Sequence, residues 1–261
     1  MKHAIVVFDI DGVLRDVSGS YRRALADTVE HFTAGAYRPT TANIDTLKNE
    51  GIWNNDWEAS RELIYRYFEA QGRSRTQLDL DYDQLIAFFQ HRYRGTTADD
   101  PSQWTGYICN EPLLLESTYL EHLHQAGFVW GFFSGATRAS ATYVLHHRLG
   151  VNRPLLVAME DAPGKPDPTG LVQIVRHLEK TVAQMLPVLY VGDTVADMQT
   201  VQNAHQQYPS QSWIGVGVIP PHAQTSAEYA EQYADKLTAA GAAIVLPNVQ
   251  GLTADCIQAL L

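Results

Sequence analysis

Cysteine is nearly missing from this chain. Its 261 residues hold two, Cys109 and Cys256, far apart in sequence. That excludes a disulfide framework and a thiolate metal site, and fits free thiols in a reducing compartment. Long apolar runs are missing too: none reaches the roughly 18 residues of a membrane span. The stretch Ala4–Phe8 is too short for a signal peptide, and Asp9 and Asp11 break it without a small-residue cleavage site. Basic residues are scarce, with 19 Lys and Arg against 29 Asp and Glu, a formal net charge of −10. A field of that sign repels phosphate backbones and anionic headgroups, so nucleic acid and membrane are poor partners, whereas a pocket concentrating a divalent cation is well served. The 10 histidines show no H-E-x-x-H spacing, and Gly215-Val216-Gly217 lacks the third glycine of a dinucleotide fingerprint. No internal repeat or low-complexity tract is present. What remains is a globular composition, 45% hydrophobic, 18% charged and 10% aromatic. The length suits one large domain or two smaller ones. The expectation is a soluble, cytoplasmic protein.

Ala4–Phe8 is a continuous apolar, β-branched run, the pattern of a strand buried on both faces of a parallel sheet. Similar runs recur at Val129–Phe133, Leu155–Val157, Val188–Val191 and Trp213–Val218, with Ala242–Leu246 a weaker sixth. Helical patterns separate them: Glu116–Gln125, Arg138–Leu149, Thr169–Lys180, Ala196–Gln207 and Ala227–Ala239. Alternation at this spacing predicts right-handed βαβ units and an open parallel α/β sheet with helices on both faces. One segment breaks the rhythm. From about Ser20 to Gly95 there is no strand candidate, only helical patterns at Tyr21–Phe32, Thr41–Asn49, Asp56–Ala70 and Asp83–Arg94. An α-helical domain inserted after the first strand follows, with residues 19–99 helical and residues 1–18 and 100–261 forming the α/β core.

Ligands of open parallel sheets bind beyond the carboxyl ends of the strands. Asp9, Asp11 and Gly12 follow the first run, and Ser134 and Gly135 the second. Gly164-Lys165-Pro166 lies in the loop after the third, and Gly192-Asp193-Thr194, then Asp197, follow the fourth. The topology therefore brings carboxylates, a hydroxyl and an ammonium to one rim. Clustered carboxylates repel one another unless a cation or proton compensates. All-oxygen ligation without His or Cys favours a hard ion, Mg²⁺ above all in phosphate chemistry. Asp9 is then placed to attack phosphorus, and Asp11, two residues on, to protonate a leaving alkoxide. Ser134 and the amides around Gly135 suit phosphoryl oxygens. Lys165 offsets the charge of nucleophile and transferring group. Asp193 completes the metal shell, and Asp197 supports metal-bound water.

Phe8-Asp9-Ile10-Asp11-Gly12-Val13-Leu14 resembles the first motif of the haloacid dehalogenase-like superfamily. Ser134, Gly164-Lys165-Pro166 and Gly192-Asp193-Thr194-Val195-Ala196-Asp197 resemble its second, third and fourth. The insert resembles the type 1 cap of its phosphoglycolate phosphatase and beta-phosphoglucomutase branch. The resemblance implies a Rossmann-like core and Mg²⁺ as cofactor. It makes Asp9 the nucleophile and a metal ligand, and Asp11 the general acid/base that also ligates metal through its backbone carbonyl. It gives Ser134 and Lys165 to the phosphoryl oxygens, Asp193 to Mg²⁺ and Asp197 to a supporting role. Members cleaving carbon–halogen or carbon–phosphorus bonds generally lack an acid where Asp11 stands, which favours a small phosphomonoester metabolite as substrate. A mutase of the beta-phosphoglucomutase type and a non-catalytic phosphate-binding protein are the alternatives.

Plainer readings stand beside these. Ser134 also suits a helix N-cap, and Asp197 a first-turn acid favoured by the helix dipole. Trp53, Asn54, Asn55 and Trp57 read either as a specificity loop or, for Asn55 with Glu58, as the capping pair of a helix. Lys48 and Arg61 suit a solvated helix face better than a second anion site. Arg15 has no role legible in sequence.

Overall fold

In the computed structural model, residues 3–53, 55–95 and 100–261 are described. Asn54, one of the four residues of the specificity loop, lies outside them. The chain divides into two compact units: Met1–Asp16 with Pro112–Leu261, and Val17–Glu111. The chain passes between them at 16/17 and 111/112, against the 18/19 and 99/100 read from the sequence.

The first unit is an α/β sheet. Strands β1 (Ala4–Phe8), β2 (Phe128–Phe133), β3 (Leu156–Val157), β4 (Val188–Gly192), β5 (Trp213–Val218) and β6 (Ala242–Leu246) pair in parallel in the order β3-β2-β1-β4-β5-β6. Successive residues of β1 point to opposite faces. Ala4, Val6 and Phe8 join one apolar core and Ile5 and Val7 the other, all fully buried. That is why the run carries no polar residue. The order reverses between β1 and β4, so their carboxyl ends diverge into the crevice where open sheets place ligands.

Numbering helices from the N-terminus, this unit holds α5 (Tyr119–Gln125), α6 (Arg138–Thr142), α7 (Thr169–Val182), α8 (Val195–Gln207), α9 (Ala227–Ala239) and α10 (Ala254–Leu260). Two differ from the sequence reading. The helix expected over Arg138–Leu149 is α-helical only to Thr142 and continues as a π-helix over Tyr143–Arg148, where Leu149 N–H reaches back five residues to Val144 O at 2.9 Å. Helix α10 had no signal: seven residues with one buried side chain, Ile257, give almost no periodicity.

The second unit is helical: α1 (Tyr21–Phe32), α2 (Thr41–Lys48), α3 (Asp56–Ala70) and α4 (Tyr82–Arg94). Tyr21 packs on Tyr93, centroids 4.0 Å apart, and on Phe89 at 5.5 Å. Asn55 caps α3, its side chain accepting from Trp57 N–H and Glu58 N–H at 2.9 and 3.4 Å. Trp53 donates its indole N–H to Glu50 at 2.8 Å. Lys48 pairs with Asp56 at 2.6 Å, and Arg61 lies over the Tyr82 ring at 4.4 Å. No described helix is long and apolar enough to cross a membrane.

Candidate active site

The ladder between β1 and β4 runs one residue past β1, with Asp9 N–H donating to Val191 O at 2.8 Å. That bond fixes Asp9 at the crevice, where the residue is 6% exposed. The chain then folds into one tight turn, with Leu14 N–H and Arg15 N–H both returning to Ile10 O, at 2.8 and 3.2 Å. Gly12 makes the turn possible. Its φ of +77° lies in the left-handed region, and a Cβ there would sit 2.0 Å from Asp193 Oδ2. Gly192 is confined likewise from β4, where a Cβ would meet that of Asp197 at 2.3 Å. The two glycines let the carboxylate-bearing loops close on each other.

The result is a buried acidic cluster in which carboxylate oxygens of Asp9, Asp193 and Asp197 all lie within 4.8 Å of one another. Lys165 enters it from the loop before α7, where the Lys165–Pro166 peptide is cis and Asn203 holds Pro166 O at 3.0 Å. Its Nζ stands 2.9 Å from Asp9 Oδ1 and 2.6 Å from Asp197 Oδ1. The ammonium also lies over the rings of Phe133 and Tyr190, 5.3 and 5.4 Å from their centroids. Aromatic faces favour a cation, so these walls hold the charge in place.

Asp197 serves two plain structural ends besides. Its Oδ2 accepts from Thr194 N–H and Oγ1–H, at 2.9 and 2.6 Å, in a capping box at the start of α8. Its Oδ1 accepts from the Tyr190 hydroxyl at 3.0 Å. Burial alone would raise this carboxyl, but the Lys165 charge and hydrogen bond, with those from Thr194, hold it below the ordinary value. Asp9 goes the other way. Burial pushes it up to about 7, with help from the Asp197 and Asp11 charges and against the pull of Lys165. Burial also works against the Lys165 ammonium, yet the two carboxylates keep it above the usual lysine value.

The second-motif residues stand at the end of β2, the neighbour of β1. Ser134 is buried, and its Oγ accepts from Ala136 N–H at 3.1 Å. The N-cap of α6 is Thr137, not Ser134, so the plain capping reading of Ser134 is excluded. Gly135 opens the turn between them. Asp11 lies apart from the cluster with its carboxylate on Arg15, at 2.6 Å from Nε. Three contributors had escaped sequence reading. Tyr190 and Phe133 look like ordinary strand residues, and Arg15 follows a motif without belonging to it.

The donor set fits a hard divalent cation. It is all oxygen, and Asp9 Oδ1 is buried with an ion pair to Lys165 but no well-directed hydrogen bond.

Residues 3–205 match the family described as haloacid dehalogenase-like hydrolases. The chain belongs to that family. Among curated proteins, an imidazoleglycerol-phosphate dehydratase of Phytophthora nicotianae is 27% identical, over 98% of this chain and 52% of the relative. The chain thus spans about half the length of the curated relative it matches. Among solved structures, a phosphonoacetaldehyde hydrolase-like protein of Oleispira antarctica is 17% identical, TM-score 0.68, over 98% of this chain and 92% of that one. A phosphatase of Thermococcus thioreducens is 22% identical, TM-score 0.59, over 82% and 92%. A protein assigned as a beta-phosphoglucomutase of Thermotoga maritima is 17% identical, TM-score 0.57, over 100% of both. Identities this low establish the shared fold of this hydrolase family.

Proposed function

We propose that this hydrolase is a Mg²⁺-dependent phosphatase of a small phosphomonoester metabolite, acting through an aspartyl-phosphate on Asp9. The observation that carries the reading is the ammonium of Lys165 set between Asp9 and Asp197 in a buried carboxylate cluster at the sheet's switch point. A buried lysine there keeps the nucleophile from repelling an anionic substrate.

In this reading an Asp9 oxygen forms a bond to phosphorus as the ester P–O bond breaks, and Asp11 gives its proton to the leaving oxygen. Asp11 then takes a proton from water as that water's oxygen attacks phosphorus. Phosphate leaves and the Asp9 carboxylate is restored. Ser134, the amides at Gly135, and Lys165 hold the phosphoryl oxygens throughout. Asp9, Asp193 and the Asp11 backbone carbonyl would hold the cation, which supplies charge neutralisation at the transferring group. Asp197 has both oxygens filled by Lys165, Tyr190 and Thr194, so it supports rather than ligates. The helical unit would act as the cap, with Trp53 and Trp57 as its candidate specificity residues. Asn55 has its side-chain oxygen committed to capping α3.

Asp11 separates this reading from carbon–phosphorus cleavage, which needs no proton donor for an alkoxide. The Phytophthora relative is described as an imidazoleglycerol-phosphate dehydratase, which is the reason to include imidazoleglycerol phosphate in the test. The test is phosphate release across sugar phosphates, phosphoglycolate, nucleotides and imidazoleglycerol phosphate, with and without Mg²⁺. Release from one class, dependent on Mg²⁺ and abolished by Asp9→Asn, is expected. Conversion of a hexose 1-phosphate to its 6-phosphate without free phosphate would establish a mutase instead. Full activity of Asp9→Asn would remove the nucleophile.

A further inference from the structure

Arg15 is among the largest side chains with no exposure at all. Burying a guanidinium is expensive unless a partner compensates. Asp11, four residues earlier, is one partner that does so. Nε lies 2.6 Å and Nη2 2.5 Å from the same oxygen, Oδ1. The other oxygen, Oδ2, accepts no hydrogen bond from a described residue, and the Asp11 side chain is 24% exposed. The root of Arg15 is itself fixed. Its carbonyl accepts from Gly12 N–H at 2.9 Å, its N–H reaches Ile10 O at 3.2 Å, and its neighbours tie to the returning chain through Leu114 N–H on Leu14 O at 2.9 Å and Asp16 N–H on Pro112 O at 2.8 Å.

We infer that Arg15 is the positioning residue for proton transfer by Asp11. The Nε–H donates to Oδ1 and Nη2 adds a charge contact to the same oxygen, which holds that oxygen and leaves Oδ2 as the one that carries and delivers the proton. The inference rests on the phosphatase reading, in which Asp11 is the acid. Arginine does not give up its own proton in a protein, and a side chain without exposure does not touch substrate, so Arg15 acts through Asp11. When the ester P–O bond breaks, the leaving oxygen takes the proton from Oδ2. The carboxylate that remains keeps both contacts on Oδ1, and Oδ2 is again the oxygen that receives a proton from the attacking water. A guanidinium that leaves one oxygen untouched through both half-reactions avoids reorganisation at the transition state.

The test compares an alkyl and an aryl phosphate on the whole protein with Mg²⁺, in wild type, Arg15→Gln, Arg15→Lys and Asp11→Asn. An aryl oxide leaves without a proton and an alkoxide does not. Arg15→Gln is expected to lower kcat for the alkyl ester at least about tenfold more than for the aryl ester, with KM for both nearly unchanged. Arg15→Lys restores part of the difference, and Arg15→Gln adds nothing further in the Asp11→Asn background. Equal losses for the two esters overturn the inference and leave the phosphatase standing. A wild type that hydrolyses neither ester overturns both. A readout independent of turnover and of the Arg15 variants' folding is the Arg15 Nε–H resonance of ¹⁵N-labelled protein without metal. It is expected to be slow to exchange and to shift on Asp11→Asn. A resonance indifferent to Asp11→Asn overturns the inference.

Discussion

Asp9 carries opposing demands. In the proposed reaction it must be ionised to attack phosphorus, yet burial holds it up to about 7 against the ordinary 3.8. Between those values the folded protein keeps a proton that the unfolded chain has released. Folded-state stability therefore falls as pH rises through that window, by at most about 1.4 kcal/mol per pH unit. A hard dication binds the ionised form, so it stabilises the protein more at the alkaline end than at the acid end. Chemical denaturation without metal is expected to show wild-type stability declining from 3.8 to about 7 relative to Asp9→Asn, and Mg²⁺ closing the gap above it. Parallel pH curves for the two proteins would contradict this account of Asp9. Asp193 was legible because it follows a strand run directly, and Lys165 and Asp197 because the Gly164-Lys165-Pro166 and Gly192–Asp197 motifs carry them. Tyr190 was not, since its hydroxyl serves Asp197 while its ring serves the core. A strand tyrosine gives no hint of which end does the work.

Helix α1 shows the same economy at the scale of an element. Asp27 sits on its buried side and accepts from Tyr107 Oη at 2.7 Å, Arg38 Nη1 at 2.8 Å and Arg92 Nε at 3.1 Å, which ties three later segments to one helix. Burial works against this carboxylate, but Tyr107, Arg38 and Arg92 together hold it below 3.8. Its contribution is thus full above 3.8 and fades as pH falls through the lowered folded value. Asp27→Ala is expected to lower stability by about 1–3 kcal/mol near neutral pH, with the difference shrinking in acid. A pH-independent difference in urea midpoints would argue for packing alone. None of this network had a sequence signal, because its members are 11 to 80 residues apart. The elements themselves were far more legible. Ala4–Phe8, Trp213–Val218 and Ala242–Leu246 stand where apolar runs placed them, and Tyr21–Phe32 and Asp56–Ala70 where helical spacing did. Double-sided burial and amphipathic packing write such patterns directly into the residues. The π-helical continuation of α6 leaves no such trace, since one extra residue per turn hardly alters which side chains face inward.

For the whole molecule, the strand order joins these parts. Reversal between β1 and β4 brings residues 184 apart in sequence, Asp9 and Asp193, into one cluster. The net charge of −10 adds a field that favours a dication, and in the proposed reaction the buried ammonium of Lys165 offsets that field for an anionic substrate. The central claim is that Asp9 briefly carries the phosphoryl group, and trapping tests it most directly. Protein turning over a ³²P-labelled ester with Mg²⁺ is quenched in acid within milliseconds and mapped by peptide. The account predicts hydroxylamine-sensitive label on Asp9, and none in Asp9→Asn. Label on another side chain, or steady turnover with no labelled protein at any time, would contradict it.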